Sequence, residues 1–327
     1  MKQHHTTTAF ILFLLLLFSC NQVDDFPGDD ISGKSPIWVS ADHVSPFTRA
    51  YVPQGMYDNF KVYAASEKDG VRTTVMNGYE VRFAVDDWSY VSETQHLMYW
   101  NSNADRYLFT AGAPISAVTA ISASSMTLHL ENNTTGSVMA SEPLKIDNGS
   151  AAFGNTVNLR FGYAHCRVCV AFAKSASEDV AVTNIKLTPN AEIASKGDLM
   201  YNYDWSTSST TTTTQLTTTE KSAASFSFAD VTIPSNTKDA VCSATCYYCV
   251  PDAANTTGWS VSLTCDGEPK SASFVNTETW QSGKNYIYVF ALTDKGPKLI
   301  KVISQETFFD CNDIVPGGNF SGSGMTE

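Results

Sequence analysis

From Ile37 onward apolar residues alternate with polar ones, and Gly, Asn, Asp or Pro closes nearly every run. A period of two puts one set of side chains on a core face and the other in water, so the pattern predicts antiparallel strands. Phe60-Lys61-Val62-Tyr63-Ala64, Tyr79-Glu80-Val81-Arg82-Phe83, Arg106-Tyr107-Leu108-Phe109-Thr110 and Met126-Thr127-Leu128-His129-Leu130 are the clearest cases. The run from Tyr286 to Leu292 is apolar on both faces, which predicts a central strand covered on each side. Asp294-Lys295-Gly296-Pro297 then turns the chain into Leu299-Ile300-Lys301-Val302-Ile303, completing a hairpin. A helical period is hard to find, and the expected class is all-β.

The first 36 residues follow other rules. Lys2, His4 and His5 precede an unbroken apolar run from Ala9 to Phe18 and then Ser19-Cys20, the anatomy of a signal peptide over residues 1–19. Ten apolar residues make a helix of only about 15 Å, half the thickness of a bilayer core, so this run is too short to span. Leu17-Phe18-Ser19-Cys20 resembles a bacterial lipobox, which makes Cys20 the expected lipidation site, carrying palmitate or a similar acyl chain; an ordinary secretory signal with a chance cysteine is the alternative. Asn21-Gln22-Val23-Asp24-Asp25 is similar to the surface-export signal of Bacteroidetes lipoproteins, or is simply acidic. In either case residues 20–36, rich in Asp, Gly, Ser and Pro, are expected to form a flexible tether.

Asp147-Asn148-Gly149-Ser150 is a turn-rich break near the middle of the remaining chain, which places an N-terminal domain at 37–155 and a C-terminal domain at 156–327. Ser206 to Thr219 is almost pure Ser and Thr, and such a segment buries little surface to offset its ordering entropy; a loop is expected there.

With 43% apolar and 12% aromatic residues in 327, the chain can build substantial cores. Lys and Arg number 21 against 33 Asp and Glu, a net charge of −12, and no basic cluster is available to neutralise a phosphate backbone. Nucleic acid is therefore not an expected partner. Charged residues make up 17% of the chain, below the roughly 25% of typical soluble proteins, which suits an extracellular β-protein.

Candidate chemistry is sparse. Seven cysteines remain beside Cys20, and seven cannot all pair with one another. Cys166-Arg167-Val168-Cys169 has the spacing of half a zinc site, but on a strand the two sulfurs point to opposite faces. Cys242-Ser243-Ala244-Thr245-Cys246-Tyr247-Tyr248-Cys249 matches an iron–sulfur spacing in number only; buried strand cysteines or a single bridge are expected instead. His43, His96, His129 and His165 show no metal-ligand spacing, and no nucleophile elbow, zinc-protease pair or phosphate loop is present. Asp86-Asp87 beside Trp88 reads as a turn more readily than as a glycosidase dyad. The expectation is a protein without catalytic residues, cofactor or metal.

The order of several motifs resembles the fimbrillin family, the subunits of Bacteroidetes protease-assembled (type V) pili. A lipoprotein signal is followed by a short strand ending in Thr48-Arg49-Ala50, similar to the family's arginine processing site. Trp100 to Tyr107-Leu108-Phe109 with Pro114 resembles the aromatic strand that closes much of the first domain. Leu159-Arg160-Phe161-Gly162-Tyr163-Ala164-His165-Cys166-Arg167-Val168 is close to the family's Phe-x-His-x-x-Ala-Lys-Val, with Tyr163 in place of the usual His. Ile233-Pro234 and then Trp280-Gln281-Ser282-Gly283-Lys284-Asn285-Tyr286-Ile287-Tyr288 are like its C-terminal pattern.

The resemblance implies two tandem Greek-key-like β-sandwiches (transthyretin-like), a surface-exposed lipid anchor in the outer membrane, other pilin subunits as partners, and polymerisation by strand exchange. Cleavage between Arg49 and Ala50 would release the strand carrying Ile37, Val39 and Ala41, whose alternation puts all three on one face. Another subunit's strand would then fill the groove by β-augmentation. Leu299, Ile300, Val302 and Ile303, or the segment through Phe308-Phe309, is the candidate donor. The chain ends in Thr307-Phe308-Phe309-Asp310-Cys311 and a Gly/Ser tail where family stalk subunits tend to end in an Ile-x-x-Trp-like strand, so stalk, tip and anchor roles stay open. The competing reading is a monomeric surface glycan-binding lipoprotein in which Trp88, Trp100, Trp205, Trp259 and Trp280 stack on sugars.

Overall fold

A computed structural model of the protein describes residues 35–42, 59–84, 87–91, 95–174, 177–206, 210–235, 237, 239–252 and 258–305. These residues fall in one unit that begins at Ser35. The alternating segments form strands throughout: β1 (Val39–Asp42), β2 (Asn59–Lys68), β3 (Val71–Ala84), β4 (Asp87–Tyr90), β5 (Arg106–Ala113), β6 (Val118–Ile121) and β7 (Ser125–Glu131). Next come β8 (Met139–Ser141), β9 (Leu144–Asp147), β10 (Val157–Tyr163), β11 (Cys166–Lys174), β12 (Val180–Pro189), β13 (Ile193–Asp204) and β14 (Thr211–Ser222). The remainder are β15 (Phe226–Ser227), β16 (Val231–Ile233), β17 (Val241–Cys242), β18 (Tyr247–Cys249), β19 (Gly258–Cys265), β20 (Glu268–Val275), β21 (Asn285–Thr293) and β22 (Gly296–Gln305). A three-residue 3-10 turn at Ile115–Ala117 is the one helical element among the described residues.

Four sheets pack in a sandwich-like arrangement. The first runs β1-β10-β8-β5-β2-β3-β4, with β9 also on β5, and its inner face gathers Ile37, Phe60, Val62, Met76, Tyr107, Phe109, Val157 and Leu159 into one core. The other face of β5 and β8 packs against the sheet β14-β13-β7-β6 through Leu108, Ala140, Leu128 and Leu199. Gly112 permits this approach: a Cβ there would lie 2.8 Å from side-chain atoms of both Leu128 and Val118. The sheets β17-β11-β21-β22 and β15-β12-β19-β20 enclose the third core, built on Val168, Val170, Phe172, Val182, Leu187, Val261, Tyr288 and Phe290. As the sequence predicts, β21 is central, between β11 and β22, and turns into β22 as a hairpin.

Two expectations need correction. The break at Asp147–Ser150 is a turn inside the first sheet: β10, beyond residue 155, pairs with β1 and β8, and the chain passes to β11 and the next sheet at Ala164-His165. Strand β7 also pairs with β13, joining segments from both sides of the expected boundary. The Ser/Thr-rich stretch is mostly strand: Thr211 to Ser222 pairs with β13 from Asp204↔Thr211 to Ile193↔Ser222. Its side chains are nearly all exposed. The ladder to β13 supplies the backbone partners, and β-branched threonines have little side-chain freedom to lose.

One device recurs before a central strand of each half. Trp100 and Trp280 are buried, and the residue after each tryptophan donates its N–H to a tyrosine hydroxyl on the following strand: Asn101 to Tyr107 (2.7 Å) and Gln281 to Tyr286 (3.1 Å). Each hydroxyl donates in turn to the carbonyl before the tryptophan, Tyr107 to Tyr99 (3.5 Å) and Tyr286 to Thr279 (2.7 Å). The second corner adds a bond from Trp280 Nε1 to the Tyr288 hydroxyl (3.0 Å) and turns at Gly283, whose φ of 76° favours glycine.

His165, at the passage between sheets, is buried, and its Nδ1 accepts the Val138 N–H at 2.9 Å. Burial lowers its pKa to about 4. Between about pH 6.5 and 4 the unfolded chain therefore takes up a proton that the folded chain refuses, so the stability this residue allows is complete above pH 6.5 and falls as pH drops through the window.

Two measurements test these features. Urea titration of Tyr286→Phe should show a loss of about 1–3 kcal/mol at unchanged m, because a buried N–H and a carbonyl lose their shared partner. In His165→Gln, the fall in stability between pH 6.5 and 4 should be smaller than in the parent by about 3 kcal/mol; identical acid limbs would show that His165 does not set the window.

Candidate functional site

The site that the motifs single out is the slot holding the first strand. Ile37 and Val39 are 0% and 3% exposed, while Trp38 between them is 43% exposed and stacks on Tyr90 with ring centroids 5.9 Å apart. Ala41 packs at the margin of the same core. The alternation read from the sequence thus holds: one face of this segment is core and the other is surface. Burying Ile37 and Val39 contributes about 1.5–3 kcal/mol each.

The slot has two walls. On one side β1 runs parallel to β10, with Val39, Ser40 and Ala41 opposite Val157, Asn158 and Leu159, and the Val157 N–H donates to the Trp38 carbonyl at 2.8 Å. On the other side the residues just before β1 pair with a short segment ahead of the Trp100 corner. The Ile37 N–H donates to the Met98 carbonyl at 2.7 Å, and the Trp100 N–H donates to the Ser35 carbonyl at 3.0 Å. Pro36 and Tyr99 form an antiparallel bridge between them. The Tyr90 hydroxyl closes the slot by donating to the Ile37 carbonyl at 2.6 Å. Burial, and secondarily Tyr79 nearby, raises the Tyr90 pKa, so the hydroxyl keeps its proton for this bond. Ser40 also bonds through its hydroxyl to the Asn158 side chain.

Removal of residues 35–42 would strip an apolar face of its cover and leave main-chain groups unpaired on two separate edges, at Met98 to Trp100 and at β10. Those exposed groups would present the ladder partners and apolar face that an extended segment requires.

Other sequence-derived residues fall as follows. Cys20, Arg49, Ala50, Asp86 and Phe308-Phe309 lie outside the described residues. Leu299, Ile300, Val302 and Ile303 belong to β22, which pairs with β21 along its length. A bulge at Ile300 leaves it 40% exposed and turns both Leu299 and Val302 toward the third core, while Ile303 packs on the opposite face of the sheet. In this structure these four residues are fixed in their own subunit.

Tryptophan stacking on sugars meets a steric objection. Trp100, Trp205, Trp259 and Trp280 are 4%, 5%, 2% and 2% exposed, and Trp88 packs against Phe60 and Phe83. The cysteines follow strand geometry: Cys166 lies in the third core, and Cys169 lies on the other face of β11, bonded to Cys246. His129 Nδ1 is 2.9 Å from Asp198, and among the described residues no group of three metal-ligating side chains converges. Tyr90, Trp38, Met98 and Tyr99 were not singled out by sequence reasoning, and Trp100 was named there in other roles. Trp38 was detectable as the outward member of the Ile37/Val39 alternation, whereas Tyr90 and the wall meet β1 only through the fold.

Residues 48–307 match the fimbrillin-like protein family. Among solved structures, a candidate cell adhesion protein from Bacteroides uniformis ATCC 8492 shares 13% identity, covers 86% of this chain and 100% of its own, and superposes with a TM-score of 0.53; at that identity the likeness concerns the fold. A candidate cell adhesion protein from Bacteroides ovatus ATCC 8483 shares 12% identity over 84% of this chain and 98% of its own, with a TM-score of 0.49. The fimbrial anchor protein Mfa2 from Porphyromonas gingivalis shares 10% identity over 84% and 98%, with a TM-score of 0.31. No protein of curated function matches the sequence. With a family match running from before the second strand to beyond the last described one, the chain belongs to the fimbrillin-like family.

Proposed function

We propose that this chain is a lipid-anchored, surface-exposed pilus subunit that is structural and adhesive rather than catalytic. In this reading Cys20 carries the lipid at the outer membrane, and proteolysis after Arg49 releases the segment bearing Ile37, Val39 and Ala41. A strand from another pilin then occupies the vacated slot. The observation that carries the reading is the construction of that slot: a strand of alternating burial, held by main-chain bonds on both sides, just upstream of an arginine.

Leu299 to Ile303 could serve as the donor only by leaving their own sheet. Those residues would have to give up their ladder to β21 before pairing elsewhere.

Brief treatment of residues 21–327, without the lipid cysteine, with an arginine-specific protease should cut after Arg49 and be followed by growth into oligomers, read together by N-terminal mass and light scattering. A resistant Arg49-Ala50 bond, or a cut that leaves a stable monomer, would overturn strand exchange. A second variant separates cleavage from displacement. Ser40 and Asn158 are register partners with bonded side chains, so Ser40→Cys with Asn158→Cys should form a bridge that retains β1 after cleavage. This variant should be cut normally yet stay monomeric until a reductant is added; assembly with the bridge intact would contradict the mechanism.

A further inference from the structure

The cysteines carry a relation that the single described bridge does not exhaust. Strands β11 and β18 are antiparallel, with Cys166 opposite Cys249 and Val168 opposite Tyr247. One step further along the same register, Cys169 is bonded to Cys246 with Cα atoms 4.6 Å apart. Two Cys-x-x-Cys segments thus face each other head to tail. The first pair lies on the face shared with Val168, Val170 and Tyr288, and the second on the face shared with Ala171, Ile287 and Val289.

Cys166 and Cys249 are both free thiols and both 0% exposed. The Cys166 Sγ lies 3.4 Å from the Cys249 carbonyl oxygen. Tyr248 exchanges both of its main-chain bonds with Asn133 on the far side, so its neighbours Tyr247 and Cys249 turn theirs toward β11. Cys166 and Cys249 therefore occupy a hydrogen-bonded site of the ladder, where Cα atoms stand about 5.5 Å apart, near the commonest disulfide separation. Burial, together with the neighbouring Cys166 thiol, holds the Cys249 thiol well above its usual range. The pair is inert to outside reagents once folded, and its natural reaction is with itself.

We infer that Cys166 and Cys249 form a second cross-strand disulfide, so that β18 is bridged to β11 on both faces of the sheet. The electrons go to an exogenous disulfide, either a protein dithiol oxidase in its oxidised form or a small-molecule disulfide. One thiolate attacks that disulfide, giving a mixed disulfide and one released thiol. The other cysteine, as thiolate, then displaces the second thiol and forms the Cys166–Cys249 bond. Two protons and two electrons leave the protein, and the oxidant ends as two thiols. Because neither sulfur reaches the surface of the folded chain, the bond closes as β18 docks, before the facing sheet covers it. Export through a signal peptide supplies the oxidising setting. Cys265, half-buried and without a cysteine opposite, stays reduced.

Cleavage sites in the chain make the pairing directly readable. Trypsin cuts after Arg167 and separates Cys166 from Cys169; chymotrypsin cuts after Tyr247 and Tyr248 and separates Cys246 from Cys249. The full chain, isolated from an exporting host, is blocked with N-ethylmaleimide in denaturant without reductant, digested with both enzymes and analysed by mass spectrometry. The expected result is a linked pair of peptides containing Cys166 and Cys249, lighter by two hydrogens than their sum, with Cys265 carrying the maleimide. Recovery of Cys166 and Cys249 each as a maleimide adduct, or linked to other cysteines, would overturn the inference.

Discussion

The constraint on which the N-terminal half depends is that a sheet edge cannot be left bare beside an apolar core. Without β1 the first sheet would end at β10, and the short segment leading to Trp100 would present a second open ladder. One strand, entering between them, satisfies both ladders and covers the core with Ile37 and Val39. Main-chain pairing is indifferent to which chain supplies the strand. In the strand-exchange proposal the chain's own segment fills this slot until it is cut away, and an extended strand with small or branched apolar residues at alternate positions then takes its place.

The rigidity needed around such a slot comes from the way its surroundings are anchored. Each half places a buried tryptophan ahead of a central strand and ties the turn to that strand through a tyrosine hydroxyl. In the first half this corner also sets the position of the slot's second wall, since Trp100 itself bonds to Ser35. Loss of β1 therefore leaves the wall held by Tyr107, Phe109 and Phe153, which pack around the Trp100 ring. In the second half the corresponding corner leads into β21, the strand that carries β22 on one edge and β11 on the other.

Much of this was legible in the sequence, because alternation records which face of a strand is buried. Strands β2, β3, β5 and β7 and the β21–β22 hairpin lie where the pattern places them, and Ile37 and Val39 are core as their spacing implies. The fourteenth strand was not legible, since Thr211 to Thr219 offers no apolar face and owes its order to the ladder with β13. Nor was the boundary near residue 155, because Asp147-Asn148-Gly149-Ser150 marks a turn but not which strands lie beside it. The shared corner escaped notice for a similar reason: tryptophan and tyrosine are seven residues apart in one half and six in the other, and only the hydroxyl bonds reveal the equivalence. In the slot, the strand was readable but its second wall was not, because Met98 to Trp100 meets Ile37 only across a long connection.

The amide groups of Trp100 and Val157 report directly on whether the slot is occupied, since each donates to a carbonyl of the first segment. Their hydrogen exchange should be followed in the intact subunit, after cleavage at Arg49 and removal of the released segment, and again in the assembled polymer. Strand replacement predicts protection in the first state, its loss in the second and its return in the third. Protection that persists in the second state, or fails to return in the third, would contradict it.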